Sequence, residues 1–353
     1  MPPTVSIVMP AYNRAHVISR AIESIREQSF QDWELIVADD RSTDRTREVV
    51  EAMSSLDRRI RYIRSERSKG PGGARNAGML EARGSFLAFL DSDDRWLPRH
   101  LEASLAAIRR TGADVSFALW IERHGVVETN PFEGEVERRL LREMGEKFGR
   151  DGETIVFEKG LFEQFLTMPR NFFQLNTMVL RRELLDQVGL IGEEHHLGED
   201  TTFLMRFFDR CRIALQPEPH SVYYESEDSL YFFCDRRGLD PDQIGADEKL
   251  QRRFEELGER SVAVRRQVRR QVEQSDAVTE RTRRRLLAGI DYGIAGKYYT
   301  LAYLARRDRR RSLGYCRRSL AAKPHLLTLL LAARLLAGRS GGSPMLRRAL
   351  DLW

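Results

Sequence analysis

Cysteine is scarce: Cys211, Cys234 and Cys316 are the only three in 353 residues. An odd number, far apart and without a CxxC, argues against a disulfide framework or a zinc ribbon and points to a reducing compartment. Long apolar runs are missing too. The longest, Leu326 to Ala337, is interrupted by Arg334 and falls short of the ~18 residues that a bilayer-spanning helix needs. The opening MPPTVSIVMPAYNR has neither a basic leader nor an apolar run long enough for a secretion signal. One-sided charge is absent at first sight, since 58 Lys+Arg against 53 Asp+Glu give +5. That balance joins two unlike parts: residues 251–353 hold 24 basic and 9 acidic residues, a balance of +15, and residues 1–250 hold 34 and 44, a balance of −10. Hydrophobic content of 41% is ample for a packed core, and 31% charged residues do not signal disorder.

What is present in the first third is a rhythm. Short apolar runs at Val5–Met9, Leu35–Ala38, Ile60–Ile63, Phe86–Leu90 and Val115–Leu119 start about 25 to 30 residues apart, with room for a helix between each pair. They predict repeated βα units and a largely parallel sheet buried on both faces. Val17, Ile18, Ala21, Ile22 and Ile25 form one helical stripe; Leu101, Leu105 and Ile108 form another, in a helix expected over Arg95–Ile108 with Pro98 in its first turn. After residue 120 the rhythm weakens. A helix is predicted at Glu135–Phe148, a strand at Phe172–Leu180, a helix at Asp200–Arg210 and short strands at Ile213–Leu215 and Val222–Tyr224, so the sheet becomes mixed. A boundary is placed in Gly238–Asp247, dividing the chain into 1–240 and an Arg-rich helical region, 241–353. Within the latter, Tyr292–Lys323 reads as a helical hairpin across an Arg-rich turn.

Five segments carry the residues suited to chemistry. PAYNR (10–14) and DDRSTD (39–44) follow strands one and two directly, where ligands bind in open α/β sheets. Asp44 is read as a helix cap, Asp40 as a ligand carboxylate. The glycine-rich Lys69–Gly78 opens a helix and suits either an anionic group or a plain loop. Asp91, Asp93 and Asp94 close strand four; bunched carboxylates repel unless a cation sits among them, so Mg²⁺ or Mn²⁺ with diphosphate oxygens is expected there. Glu199 and Asp200 open a helix, as ordinary dipole partners or as functional acids.

In that order, PAYNR, VADDRSTDRT, GPGGARNAG, FLDSDDRW and LGEDTTFLMR resemble the family 2 glycosyltransferases with their GT-A nucleotide-diphosphosugar fold, a likeness covering residues 3–225. The resemblance implies that Pro10, Ala11, Tyr12, Arg14, Gly73, Arg75 and Ser92 line the nucleotide pocket, that Asp40 bonds the base and that Asp39 supports its loop. Asp91 and Asp93 match the DxD motif, with Asp94 a further metal ligand. Asp200 matches the catalytic base of an inverting transfer, and Glu199 orients its loop. The implied donor is a nucleotide-diphosphosugar, UDP-sugar favoured, and the implied acceptor a saccharide or lipid-linked saccharide in bacterial surface glycan assembly. The QxxRW motif of processive synthases is absent, so non-processive transfer of a single hexosyl unit, or a few, is expected rather than polymer extrusion. The competing readings are a sugar nucleotidyltransferase, whose glycine-rich loop would follow strand one, and a degenerate binding or scaffold protein.

His195 and His196 are read as a solvated loop rather than zinc ligands, and Tyr223, Tyr224, Tyr231, Phe232 and Phe233 as core or acceptor contacts. The basic helices lack any nucleic-acid motif, and no nucleic-acid partner is expected. The apolar helix His325–Ala337, flanked by cations, suits either an anionic membrane surface or a contact within a homo-oligomer. A cytoplasmic enzyme, peripheral on the inner face of the plasma membrane, is the expectation.

Overall fold

The computed structural model describes residues 1–158, 160–194, 198–225, 244 and 247–338. The chain divides into two compact units, residues 1–226 and 227–353. Most of the expected boundary, Gly238–Asp247, lies outside the described residues, as do His195, His196, Tyr231, Phe232 and Phe233.

The first unit begins with β1 (Val5–Ala11), α1 (Ile18–Arg26), β2 (Trp33–Asp39), α2 (Thr46–Leu56), β3 (Ile60–Arg64), α3 (Pro71–Glu81) and β4 (Phe86–Phe89). These strands run parallel in the order β3-β2-β1-β4. Every residue of β1 and β2 is buried, as a strand covered on both faces requires. Ile18, Ala21, Ile22 and Ile25 of α1 join Val5, Ile7, Leu35 and Val37 in one core. Gly78 is needed for close packing: a Cβ there would lie 2.5 Å from Val8 Cγ1 on β1.

The second half adds β5 (Arg95–Trp96), α4 (His100–Thr111), β6 (Val115–His124), β7 (Val127–Thr129), α5 (Glu135–Phe148), β8 (Arg150–Asp151), β9 (Thr154–Phe157), α6 (Leu161–Thr167), β10 (Val179–Arg181), α7 (Leu185–Val188), α8 (Glu199–Phe208) and β11 (Ile213–Tyr224). Strand β10 is antiparallel to both β4 and β6, so the sheet is mixed, continuing β10-β6-β11-β9-β8. Three expectations change. Helix α4 starts at His100, beyond Pro98, because Arg95 and Trp96 pair as a strand with Val222 and Ser221. Phe172–Leu180 is not one strand: Leu175–Thr177 forms a 3₁₀ turn before β10. The two short strands expected after residue 212 are one, with register shifts around Pro219, where a proline has no N–H for the ladder. Phe173 stacks within 5.2 Å of Phe117 and 4.9 Å of Phe208, which fastens α8 to the sheet.

The second unit contains α9 (Glu248–Gln274), α10 (Glu280–Leu304), α11 (Arg309–Ala322) and α12 (Leu326–Leu336). Asp247, Thr279 and Asp308 cap α9, α10 and α11 through their side chains. The hairpin expected at Tyr292–Lys323 exists, but its first helix begins twelve residues earlier, at Glu280. Tyr298, Tyr299 and Tyr303 of α10, Cys316 of α11 and Leu331 and Leu335 of α12 form one core in this unit. Ser312 and Ser319 donate across it to the carbonyls of Ala302 and Ala295, so buried hydroxyls are paired where the helices pass. Among the described residues no helix is long and apolar enough to cross a membrane.

Candidate active site

Parallel pairing of Ala11 with Asp39 sets the loops after β1 and β2 side by side at the carboxyl edge of the sheet. They are knitted together. Asn13 N–H donates to Ser42 Oγ at 2.8 Å, Arg14 N–H to Thr46 Oγ1 at 2.8 Å, Ala15 N–H to Asp44 Oδ2 at 3.0 Å, and Thr43 N–H to Asn13 Oδ1 at 2.8 Å. Asp44 therefore clamps two loops as well as accepting from Thr46. Asn13 and Arg41 hold positive φ, 53° and 63°, uncommon for residues with a side chain. Pro10 and Ala11, expected to line a pocket, are buried as the last residues of β1; they direct the loop rather than present surface. Tyr12 is 41% exposed with Lys69 Nζ 4.8 Å from its ring centre, and Arg14 Nε reaches Asp93 at 3.5 Å.

Asp39 accepts from Ser42 N–H and from Tyr62 Oη–H at 2.7 Å; burial and that carboxylate push the Tyr62 phenol up. Asp40 is 4% exposed. Its Oδ2 accepts from Gly70 N–H at 2.6 Å and its Oδ1 from Arg41 at 2.9 Å, so it ties the glycine-rich segment to β2. Gly73 departs from expectation. A Cβ there would meet Ser68 O at 1.9 Å, so its bareness admits the chain's own loop, not a ligand.

Arg75 also departs. Its side chain is 6% exposed and forks between Asp91 at 2.6 Å and Glu199 at 3.0 Å, leaving it unavailable to line an open pocket. Burial alone would lower the guanidinium's pKa, but the charges of Asp91, Glu199 and Asp200 hold it above the ordinary value. Burial raises the Glu199 carboxyl, Arg75 opposes, and the Asp200 charge adds to the rise. One buried cation thus joins the turn after β4 to the first turn of α8.

In the acidic turn, Asp91 and Asp93 are 34% and 27% exposed at their side chains, whereas Ser92 and Asp94 are 5% and 1% exposed. Asp94 accepts from Tyr224 N–H at 2.8 Å and from the Asn176 amide. Both its oxygens are engaged beneath the turn, which corrects its expected place among metal ligands, and the buried Ser92 likewise does not face a nucleotide. Asn176 is the organiser that sequence reasoning missed: its Oδ1 accepts from Asp91 N–H at 3.0 Å and its carbonyl from Trp96 Nε1–H at 2.6 Å. The signal was an asparagine inside FFQLNTMVL, because a polar side chain buried in an apolar run needs partners. Burial, then the Asp91 charge, raises the Asp93 carboxyl against the pull of Arg14. For Asp94, burial acts first and the charges of Asp93 and Asp91 add to it. Among the described residues no group of three or more His, Cys, Asp or Glu is gathered to hold a metal. Two accessible carboxylates suit a hard divalent ion whose shell is completed by substrate phosphates and water.

Helix α8 enters through Gly198, whose φ of 70° is left-handed, and carries Glu199 and Asp200 in its first turn, where the helix dipole favours acids. The Phe203 ring meets Phe89, the last residue of β4, at 6.3 Å edge to face. Asp200 is half-buried; its Oδ1 accepts from Thr201 N–H at 2.6 Å.

A second missed residue is Glu193. It accepts from Asn76 at 2.7 Å, from Ser68 N–H and from Arg67, binding the segment before α8 to the glycine-rich segment. Asn76 also exchanges two hydrogen bonds with the Ile191 backbone. Burial opposes ionisation of Glu193, but these donors pull its carboxyl from 4.5 down to about 2. A lowered pKa in the folded state means stability that is full above the ordinary glutamate range and is lost as pH falls toward 2. The protection of the Ile191 amide, its exchange rate compared with that of the unstructured chain at the same pH, is expected to fall over that window in the native chain, with the fall weakened in Glu193→Gln; equal pH profiles of protection would remove the anchor role.

The arrangement, paired loops at the carboxyl edge of a mixed sheet with acids converging from β4 and α8, is that of a nucleotide-diphosphosugar transferase of GT-A fold. The model of "Glycosyl transferase family 2" matches residues 6–187, just over half of the chain, and the chain belongs to that family, which sets the nucleotidyltransferase alternative aside. The match ends before the Glu199–Asp200 pair. The chain is 42% identical over 113 residues to UDP-Glc:alpha-D-GlcNAc-diphosphoundecaprenol beta-1,3-glucosyltransferase WfgD of Escherichia coli, an alignment covering 32% of this chain and 43% of that protein. It is 32% identical over 266 residues to the succinoglycan biosynthesis protein ExoO of Rhizobium meliloti, covering 71% and 69%. Among solved structures, S. aureus TarS 1-349 in complex with UDP-GlcNAc superposes with a TM-score of 0.59 at 19% identity, covering 99% of this chain and 91% of that one, a likeness of fold.

Proposed function

We propose that this chain is an inverting, non-processive hexosyltransferase that moves a sugar from a nucleotide-diphosphosugar, UDP-sugar favoured, to a hydroxyl of a saccharide or lipid-linked saccharide during bacterial surface polysaccharide assembly. The observation that carries this reading is the fork of Arg75 between Asp91 and Glu199, which brings the donor-side acids and the start of α8 under one charge. The relative that uses a diphosphoundecaprenol-linked acceptor and the structural neighbour in complex with UDP-GlcNAc support the substrate classes.

In this mechanism Tyr12, exposed beside Lys69, offers an aromatic face to the base, and Asp39 and Asp40 hold the two loops that frame it. Asp93, with Asp91, would hold Mn²⁺ or Mg²⁺. Bound there with the donor, the ion would neutralise charge gathering on the departing diphosphate oxygens. Arg14, now 3.5 Å from Asp93, stands ready as a further cation for the same phosphates. Asp200 takes the proton of the acceptor hydroxyl as that oxygen attacks the anomeric carbon; the bond from that carbon to the diphosphate oxygen breaks on the opposite side, and configuration inverts. Glu199, held by Arg75, fixes the first turn of α8 so that Asp200 keeps its aim.

Asp93→Ala tests the donor half. Calorimetric titration with UDP-sugar is expected to show Mn²⁺ strengthening binding to the native chain by at least about tenfold and leaving the variant nearly unaffected. Equal Mn²⁺ dependence in both would exclude Asp93 as a ligand.

A further inference from the structure

Asp308 and Asp351 enclose 42 residues that contain ten Lys+Arg and not one carboxylate. Within that stretch lies α12. Among the described residues of the second unit, the exposed large apolar side chains are Tyr292 at 51%, Leu326 at 69%, Leu329 at 50% and Leu336 at 62%. The three leucines are on α12, and the Tyr292 ring sits 5.5 Å from that of His325, the residue before it. Positions 326, 329, 333 and 336 follow one line along a helix, and Ala333 is exposed as well. The opposite side is committed inward, with Thr328, Leu331 and Leu335 buried. An α12 that merely covered the hairpin would show water a polar outer face; this one is apolar on both sides.

Cations stand at both ends of the stripe. Arg309 Nη2 donates to the Leu336 carbonyl at 3.3 Å, and Lys323 lies just before the helix, its Nζ 3.0 Å from the Ala288 carbonyl. Eleven residues measure about 16 Å along the axis, half of a hydrocarbon core, so the helix can lie in a bilayer surface but not cross it. Arg311 and Arg318 are already paired, with Glu255 and Glu259 of α9, but Arg309 and Lys323 at the ends of the stripe bond to backbone carbonyls. A two-fold contact between copies along the stripe would bring these like charges together, whereas an anionic surface complements them.

We propose that the outer face of α12 is a membrane-surface contact, with Leu326, Leu329 and Leu336 entering the headgroup boundary of an anionic bilayer, Tyr292 at the interface, and Arg309 and Lys323 meeting lipid phosphates. The use of such a contact, delivery of the enzyme to a lipid-linked acceptor, rests on the function proposed above; the geometry of the stripe does not. Co-sedimentation of the full chain with vesicles of phosphatidylcholine and phosphatidylglycerol (about 70:30) and of phosphatidylcholine alone tests it. The native chain is expected to bind the anionic vesicles and to bind the neutral ones far more weakly. Leu326→Ser/Leu329→Ser/Leu336→Ser is expected to reduce anionic binding by at least about tenfold, equivalent to roughly 1.4 kcal/mol, while its melting temperature and its stabilisation by UDP-sugar stay those of the native chain. Undiminished vesicle binding by the triple variant, no binding by the native chain, or a variant that changes only the oligomeric state would each overturn the proposal. Because stabilisation by UDP-sugar is read separately, its failure would count against the donor site alone.

Discussion

Asp200→Asn is expected to lower the transfer rate by about 10²–10⁴-fold, the usual contribution of a positioned general base, and to leave donor affinity unchanged. Asparagine has the same shape and keeps an oxygen for the Thr201 N–H that Oδ1 now accepts, so the first turn of α8 should persist. What it lacks is a basic oxygen for the acceptor's proton. The loss should fall on kcat with the donor KM unaltered, the signature of an interaction made only in the transition state. Single-turnover transfer measured on both forms checks it, and a variant within about threefold of the native rate would place the base elsewhere.

Arg75→Met is expected to be the most destabilising change at the site. Removing one partner of a buried ion pair commonly costs about 3–5 kcal/mol because a charge is left uncompensated. Glu199 is left so, but Asp91 is a third exposed and water will screen it, so roughly 2–4 kcal/mol is the better figure. In a unit of this size that lowers the melting temperature by about 4–16 °C. Donor binding should weaken too, because Asp91 and the start of α8 no longer share a counter-charge. Arg75→Lys should recover only part of the stability, since an ammonium is a point charge and cannot fork to two carboxylates. Scanning calorimetry and donor titration of the three forms separate these outcomes; native stability in Arg75→Met would mean that the fork holds nothing together.

The parallel half of the sheet was legible because its strands are fully buried, so apolar β-branched runs mark them without ambiguity, and the loops that follow β1, β2 and β4 were placed with them. Function was legible through the order of five short segments. What escaped was how polar side chains share partners across distant segments. Arg75 sits in the glycine-rich start of α3 and reads as an anion ligand, yet its partners are sixteen and 124 residues away. Asp94 continues the run of Asp91 and Asp93, and only the hydrogen bonds from Asn176 and Tyr224 turn it inward. Asn176 falls in a stretch read as a strand, where its polarity says that it needs partners but not which, and Glu193 falls between assigned elements, where nothing local announces that it ties two segments of the site. Trp96, read as helix, was drawn into a strand by Ser221, a pairing across 125 residues that periodicity does not encode.

The central claim is that the carboxyl edge of this sheet binds a nucleotide-diphosphosugar with a divalent ion. Its most direct measurement is the melting temperature of the full chain with UDP-, GDP- and dTDP-sugars, each with and without Mn²⁺. At least one donor, UDP-sugar first, is expected to raise the melting temperature, and to raise it further with Mn²⁺. Failure of every nucleotide-sugar to stabilise the fold, with or without the ion, would contradict it.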